Sequence, residues 1–303
     1  MNVLITSVSR KVSLIRAWKK AINARGGTLV VADMNPLCPG MHEGDLSVQI
    51  GAIDTFNFFP TMMELCHKYG VNLVVPTRDE EVRDYATYPG GDVRFLAPNS
   101  QAIRVCQDKI LFSQWCALNG FKTPAEYKGH YPAFVRARRG SGSTHARRVV
   151  DDHDLMYFIG KNTGEVLIQE FVRAQEYSVD VFSSLAGKVI CAVPRERVQI
   201  VGGESWVSKT VRHDALRDEA VRLAETLGLS GHSVLQCFDR DGEILWIEAN
   251  PRFGGASALG MEAGCKSPDW ILDELEGKAL PSPLVPYEEN LTMLRYTQDR
   301  FVR

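Results

Sequence analysis

The residues best suited to chemistry lie at the end of one apolar run, where a carboxylate, a carboxamide and a guanidinium follow each other closely. In the segment ILWIEANPRFGG (244–255), an extended chain would point Glu248 and Asn250 to the same face, about 7 Å apart. Such oxygen ligands suit a hard divalent cation such as Mg²⁺. Pro251 cannot donate a ladder hydrogen bond, so the strand ends there, and Arg252 follows as a clamp for phosphate or carboxylate. A strand end with a solvated carboxylate and an Asn-Pro turn would use the same residues.

A second apolar run precedes this one and is predicted to pair with it. Residues 234–239 are followed by Arg-Asp-Gly at 240–242 and then by the strand 243–249, which is the pattern of a β-hairpin. Pairing across this hairpin would bring Gln236 beside Glu248 and Asn250. Gln236 would otherwise be an ordinary polar strand residue.

The first hundred residues alternate short apolar strands with amphipathic helices. This alternation predicts a parallel sheet whose carboxyl-terminal strand ends face a ligand. No G-x-G-x-x-G follows the first strand, so a dinucleotide fingerprint is absent. Ser7, Ser9 and Arg10 could hold an anion at a helix amino terminus, or be only an N-cap and a surface base. The loop 76–81 ends at the same edge, where its acidic residues either face a ligand or are favoured by the helix dipole.

A basic loop follows the predicted strand 132–136. It reads ARRGSGST (137–144), in which Gly and Ser let backbone amides approach an anion and the arginines supply charge. A flexible hairpin tip could use the same residues. The flanking basic residues favour a phosphate-binding loop.

Composition limits the class of protein. The 303 residues carry a formal net charge of −2, which gives no electrostatic reason to expect nucleic acid or an acidic membrane surface. The seven cysteines include no C-x-x-C, which favours reduced, buried thiols over a disulfide framework or a zinc site. No signal-peptide pattern and no apolar run of about 20 residues is visible. A cytoplasmic protein without membrane or nucleic-acid partners is therefore expected.

Together, these motifs in this order resemble the ATP-grasp superfamily, in particular the ATP-grasp halves of carbamoyl-phosphate synthase and stand-alone carboxylate–amine ligases. The resemblance implies a mixed α/β and α+β architecture, the ATP-grasp fold. It implies an N-terminal parallel α/β domain at 1–106, a lid at 107–172, and a C-terminal antiparallel sheet domain with the metal site at 173–303.

The resemblance also implies roles for single residues. Residues expected to bind ATP are Lys109, Arg136, Arg139, Gly140, Ser141, Gly142, Ser143, Gln169, Glu170, Phe171, Val172 and Glu176. Those expected to hold Mg²⁺, with Mn²⁺ as a substitute, are Gln236, Glu248 and Asn250. Arg252 and Arg136 are the expected catalytic residues.

Two positions depart from the commonest family pattern. Arg136 stands where most members have the lysine of a K-P pair, with Ala137 after it, and Gln236 replaces a glutamate. Both replacements match carbamoyl-phosphate synthase. Glu176, expected to bind the ribose hydroxyls, could instead be a surface ion-pair partner.

The implied reaction activates a small carboxylate as an acylphosphate and then transfers the acyl group to an amine. Arg195, Arg197, Gly254 and Gly255 are the candidate substrate-contacting residues, although Arg195 and Arg197 could also lie on a solvated strand face. The seven histidines offer no convincing general base. A homodimer is left open, and a complete carbamoyl-phosphate synthase activity is not expected from one such half.

Three alternatives remain. The chain could be an ATP-binding regulatory module, as the altered K-P pair and Gln236 suggest. It could be a carbamoyl-phosphate-synthase-like subunit that needs a partner. A third and weaker alternative is nucleic-acid binding through the arginine-rich lid, with a steep dependence on salt.

Overall fold

Five parallel strands form the N-terminal sheet, in the order β3-β2-β1-β4-β5. The computed structural model describes residues 1–53, 58–88, 91–140, 145–162 and 164–302. The strands are β1 (Asn2–Thr6), β2 (Leu29–Asp33), β3 (Leu46–Gln49), β4 (Val71–Val75) and β5 (Arg94–Phe95). The helices of this part are α1 (Val12–Asn23), α2 (Phe58–Lys68), α3 (Asp79–Tyr85) and α4 (Ser100–Cys106), with a 3₁₀ turn at Pro39–His42. The predicted parallel sheet is confirmed.

The strand order reverses at β1, which pairs with β2 on one side and with β4 on the other. In open parallel sheets, ligands bind outside the carboxyl ends of the strands at such a reversal. The loops after β1 and β4 therefore meet at the edge where a ligand is expected. Strand β3 was not predicted: its four residues alternate apolar and polar, but a run this short with mostly exposed side chains is a weak strand signal.

A small antiparallel sheet forms the lid, in the order β7-β6-β8. Its elements are α5 (Lys109–Leu118), β6 (Ala133–Ala137), β7 (Ala146–Val149), α6 (Asp152–Lys161) and β8 (Val166–Glu170). Helix α5 begins where Asp108 accepts hydrogen bonds from the Ile110 and Leu111 amides. Its buried Phe112 and Cys116 share a core with residues of the C-terminal sheet. The domain boundaries remain predictions.

Six strands form the C-terminal sheet, in the order β13-β12-β9-β10-β11-β14. They are β9 (Gln175–Ser183), β10 (Val189–Val201), β11 (Glu204–Thr210), β12 (Gly231–Arg240), β13 (Glu243–Asn250) and β14 (Thr292–Leu294). The helices are α7 (Asp214–Leu227), α8 (Ser257–Glu262) and α9 (Ser267–Leu275). All recorded pairings between these strands are antiparallel, as expected.

The predicted hairpin forms between β12 and β13 through a two-residue turn. Asp241 and Gly242 both have positive φ, 52° and 87°, as a tight turn matched to strand twist requires. In the resulting register Gln236 lies opposite Glu248. The register shifts by one residue between Gln236 and Cys237, which makes a β-bulge on β13. Trp246 and Ala249 therefore both face the buried core, and Glu248 and Asn250 lie on the opposite face with Gln236.

All seven cysteines are free and buried, as the sequence predicted. Burial raises the pKa of the Cys66 thiol to about 11, which keeps it protonated at neutral pH. In the described ranges, no helix combines the length and the apolar character that crossing a bilayer requires.

Candidate active site

Glu248 is the centre of a polar network on the open face of the C-terminal sheet. Its Oε1 accepts hydrogen bonds from Gln236 Nε2 at 2.8 Å and from Asn250 Nδ2 at 3.0 Å. Gln236 Oε1 in turn accepts from Arg197 Nη1 at 2.6 Å, and Asn250 Oδ1 accepts from Arg252 Nη2 at 3.1 Å. The hairpin thus gathers one carboxylate and two carboxamides and anchors each amide to a guanidinium.

This donor set fits a hard cation that also takes oxygens from phosphates and water. Across the described parts of the chain, no cluster of three or more His, Cys, Asp or Glu side chains could hold a metal alone. The metal set predicted from the sequence is of a different kind, because only Glu248 is charged. Both amides lie within hydrogen-bond distance of Glu248, and a flip of either amide would present its oxygen there.

Arg252 joins this network to the N-terminal sheet. Its Nε and Nη2 donate to Oδ1 and Oδ2 of Asp79 at 2.8 and 2.9 Å. Asp79 opens α3 in the acidic loop whose residues were expected either to face a ligand or to be favoured by the helix dipole. The acidic residues there are more than dipole partners, since Asp79 binds Arg252 and Glu81 is buried at the end of β1.

Two cations from the lid side face Glu248. Arg136 Nη2 donates to Gln169 Oε1 at 3.0 Å and to the Ile247 carbonyl at 3.1 Å. Its buried Nε has no hydrogen-bond partner among the described residues. Burial lowers the Arg136 pKa, and Glu248 opposes that effect. A buried guanidinium with an unsatisfied donor is suited to an incoming phosphate oxygen.

Lys109 is the second cation. Its Nζ donates to the Gly140 carbonyl at 2.7 Å, at the start of the predicted phosphate loop. Burial lowers the Lys109 pKa, and Glu248 is the first of the charges that oppose the shift. Arg139 is exposed, with Nη2 3.5 Å from Asp108 Oδ2. Of the predicted phosphate loop, Ser141, Gly142 and Ser143 lie outside the described residues.

The predicted adenine hinge, residues 169–172, begins with the last two residues of β8. Gln169 is buried and donates to the Pro124 carbonyl at 2.8 Å, while Glu170 accepts from Arg240 Nη1 at 3.0 Å. The Phe171 ring lies under the Arg148 guanidinium, 5.2 Å from centroid to Cζ, and Val172 is buried.

Glu176 pairs with Arg197 on the sheet face that carries Glu248. Its pKa is raised because burial outweighs the attraction of Arg197. Glu176 therefore has an ion-pair partner, but the pair lies inside the site and not on a solvated surface.

Arg195 and Arg197 do not lie on a solvated strand face, and that alternative was wrong. They are only 2% and 8% exposed, and Arg197 donates hydrogen bonds to Ser205 Oγ, the Gly203 carbonyl and Gln236 Oε1. Arg195 Nε donates to Asp180 Oδ2 at 2.7 Å. His232 Nε2 lies 3.3 Å from Asp180 Oδ1, so this part of the face is a buried polar network.

Gly254 and Gly255 follow Arg252 as expected. The Gly254 amide donates to Ser257 Oγ at 2.8 Å, and the Gly255 carbonyl accepts from Arg295. Arg295 comes directly after β14 and also binds Glu204 at 2.5 Å. The sequence pattern gave no signal for Arg295, since only the β11–β14 pairing brings it to the site.

A cavity of about 330 Å³ opens at the carboxyl edge of the N-terminal sheet. Four of its charged lining residues are Lys11, Asp33, Arg78 and Glu81. Ser7 also lines the cavity, and its hydroxyl donates to Glu81 at 2.6 Å.

Ser7 and Ser9 are not the N-cap of α1, which was one of the two interpretations. The residue at the cap position is Lys11, without a side-chain cap hydrogen bond. The Ser9 amide donates to Asp33 Oδ2 at 2.9 Å, and Lys11 Nζ donates to the Ser7 carbonyl at 3.0 Å. Sequence reasoning did not identify Lys11, and it considered Glu81 only as one of the acidic residues of the loop 76–81.

Two protein-family profiles match separate parts of the chain. Residues 3–87 match "PylC-like, N-terminal domain", and residues 162–298 match "ATP-grasp in the biosynthetic pathway with Ter operon".

Curated relatives include carbamoyl phosphate synthase large chains. The arginine-specific chloroplastic chain of Oryza sativa subsp. japonica is 28% identical, over 56% of this chain and 17% of its own. The chain of Thermoplasma acidophilum is 24% identical, over 56% of this chain and 19% of its own. This chain therefore spans less than one fifth of the length of these relatives.

Solved structures share the whole architecture. One is the biotin carboxylase domain dimer of Hydrogenobacter thermophilus 2-oxoglutarate carboxylase, solved with MgADP, ADP and bicarbonate. Its TM-score is 0.77 at 16% sequence identity, and the match covers 96% of this chain and 73% of that chain. N5-carboxyaminoimidazole synthetase from Staphylococcus aureus, complexed with ADP, has a TM-score of 0.73 at 15% identity and covers 94% and 79%. With three sheets in this arrangement the chain has the ATP-grasp fold, its residues 162–298 match an ATP-grasp family profile, and it is distantly similar to carbamoyl phosphate synthase large chains.

Proposed function

We propose that this protein is an ATP-dependent ligase that joins a small carboxylate to an amine through an acylphosphate, releasing ADP and phosphate. One observation carries the proposal: Gln236, Glu248 and Asn250 form one hydrogen-bonded set that the lid cations face. A nucleoside triphosphate and its metal require oxygen ligands for the metal beside buried cations that bind the phosphates.

The residues would divide the work by position. Lys109 and Arg136 bind phosphate oxygens, and Arg252 lies between the γ-phosphate and the substrate carboxylate. The backbone of Gln169–Val172 binds adenine, and Glu176 binds the ribose after exchanging its bond to Arg197. Mg²⁺, when held by Glu248 and the two amides, supplies charge neutralisation for the β- and γ-phosphates.

The chemistry balances without an oxidant or reductant. A carboxylate oxygen of the first substrate forms a bond to the γ-phosphorus, and the bond to ADP breaks. The amine nitrogen then forms a bond to the acyl carbon, phosphate leaves, and the amine loses one proton. The site contributes mainly position and fixed positive charge, so no protein general base is assigned.

The acceptor side of the site is proposed to include the cavity beside Lys11 and Glu81. That cavity is lined by charges of both signs, which suits an amine substrate that also carries an acidic group. The cavity opens near Arg252. Burial is the main cause that lowers the Lys11 pKa, and the positive charge of Arg252 is the second cause. Arg195 and Arg197, tied to Asp180 and Glu176, serve to order the sheet face.

Phosphate release from Mg-ATP tests the proposal directly, with amino acids and small carboxylates supplied singly and in pairs. Release that requires one particular pair, together with a condensed product detected by mass spectrometry, would support the ligase. ATP binding without phosphate release under every mixture would contradict it and would favour the regulatory alternative.

A second candidate is a subunit that works only with a partner. It is favoured by the fact that the chain spans 17% of the rice relative. For that candidate, phosphate release would begin only when the partner chain is added.

A further inference from the structure

Arg252 is held by groups from two parts of the chain. The paired hydrogen bonds to Asp79 join the C-terminal sheet to the first residue of α3. The side chains of Arg252 and Asp79 are only 15% and 21% exposed, so water competes weakly for them. Two parallel bonds between a planar guanidinium and a carboxylate fix the direction of the guanidinium as well as its distance.

Glu248 is the competing carboxylate. It is separated from Arg252 by one amide side chain, because Asn250 binds both of them. The Arg252 pKa is raised although burial opposes this, since Asp79 first and Glu248 second attract the charge. If Asp79 were removed, the Arg252 guanidinium would have Glu248 as a nearby carboxylate with which it could form a charge-assisted contact.

We propose that Asp79 is a positioning residue that holds the Arg252 guanidinium away from Glu248 and so keeps this carboxylate available to a divalent cation. The proposal rests on the proposed function in that metal and nucleotide bind at Glu248. In this arrangement the N-terminal sheet governs the metal site without donating a ligand. The acidic start of α3 thereby has a role beyond its favourable interaction with the helix dipole.

The contact between the two sheets does not depend on Asp79. Phe253 is buried next to Arg252, packs edge-to-face on Trp18 of α1 with centroids 5.9 Å apart, and stacks on His232 at 4.3 Å. Aromatic contacts of this kind persist when a neighbouring ion pair is removed. Variants of Asp79 are therefore expected to fold.

The test is a titration with Mn²⁺ in the presence of a non-hydrolysable ATP analogue. Electron paramagnetic resonance measures how much Mn²⁺ is bound. The Asp79→Ala variant should raise the Mn²⁺ concentration for half-saturation by about tenfold, because Arg252 then competes for Glu248. The isosteric Asp79→Asn should show a smaller rise in the same direction. In an Arg252→Ala background, Asp79→Ala should have no effect, since the competing guanidinium is gone.

Glu80→Ala is the matched control, because Glu80 is the next residue and pairs outward with Arg78 at 3.3 Å. It should leave half-saturation within about twofold of the unsubstituted protein. Three outcomes would overturn the role of Asp79 and leave the ligase proposal standing. The Mn²⁺ concentration for half-saturation could be the same in the unsubstituted protein and in both Asp79 variants, or Glu80→Ala could raise it as much as Asp79→Ala does. Asp79→Ala could also raise it by the same factor when Arg252 is already replaced by alanine. Failure of the unsubstituted protein to bind the Mn²⁺–nucleotide complex would overturn both.

Discussion

Gln236 faces Glu248 directly across the β12–β13 hairpin, and its amide nitrogen lies 2.8 Å from the carboxylate. Arg197 holds the other end of that amide at 2.6 Å. The negative charge of Glu248 is therefore fixed in place by a partner that is itself anchored. A single carboxylate held in this way supplies a defined anionic ligand without the repulsion that a second carboxylate would bring.

The first prediction concerns this charge. Glu248→Gln keeps the shape of the side chain but removes the only anionic ligand of the proposed metal set. We expect the rate of phosphate release from Mg-ATP to fall by at least about a hundredfold, with the unfolding temperature little changed. Turnover and thermal unfolding measured on the same preparation check both parts.

Glu243→Gln is the matched control for that variant. Glu243 begins the same strand, but its carboxylate is paired with Lys122 at 2.7 Å at the hairpin end. Its turnover should stay close to that of the unsubstituted protein. Near-normal turnover of Glu248→Gln would show that the metal assignment is wrong.

The hairpin and its motif were predictable because their signals are local. Alternation predicts the two strands, and the Asp-Gly turn predicts the hairpin that brings Gln236 near Glu248. Regular pairing from Arg240 and Glu243 would place Gln236 opposite Ile247, so the bulge that puts it opposite Glu248 could not be predicted. The parallel sheet was predictable for a similar reason, since β1, β2 and β4 are buried apolar runs.

Partners that are distant in the sequence could not be predicted. Asp79 and Arg252 are separated by 173 positions, and nothing in either segment identifies the other. The same holds for Arg295, which reaches Gly255 only because β14 adds to the edge of β11. A short edge strand does not identify the strand with which it pairs, so the contacts that the pairing creates remain hidden until the fold is known.

The second prediction concerns the lid. Arg136→Ala removes a buried guanidinium whose Nε has no partner among the described residues. We expect the ATP concentration for half-maximal phosphate release to rise about tenfold or more, because a charge-assisted phosphate contact is lost. Titration of ATP at saturating substrates measures this.

Arg147→Ala is the control for the lid variant. Arg147 lies on the neighbouring strand β7 and pairs with Asp154 at 2.6 Å, and its side chain is 45% exposed. Its ATP requirement should be unchanged. An unchanged requirement in Arg136→Ala would place that arginine outside the phosphate site.

The third prediction separates the cavity from the nucleotide site. Lys11→Met keeps the length of the side chain but removes one of the two cations, Lys11 and Arg78, that line the cavity. We expect the KM for the amine substrate to rise about tenfold while the KM for ATP stays within about twofold, since an ion contact to the acceptor alone is lost. Lys20→Met, at an exposed position of α1, the helix that follows Lys11, should change neither constant. Equal effects of Lys11→Met on both KM values would argue against a separate acceptor site.

The fourth prediction follows from Asp180, which is buried between Arg195 and His232. Burial alone would raise the pKa of this carboxyl group, but Arg195 and then His232 outweigh it and lower the pKa to about 2. Because the folded pKa lies below the ordinary value of 3.8, the ionised group stabilises the fold above about pH 4. This contribution, roughly 2 kcal/mol, is lost as the pH falls towards the folded pKa.

Asp180→Asn should therefore lower the free energy of unfolding most at pH 7, and its difference from the unsubstituted protein should shrink towards pH 3, as measured by urea denaturation. Asp218→Asn, an exposed change on α7, should show no such trend, and a difference for Asp180→Asn that stays constant with pH would contradict the assignment.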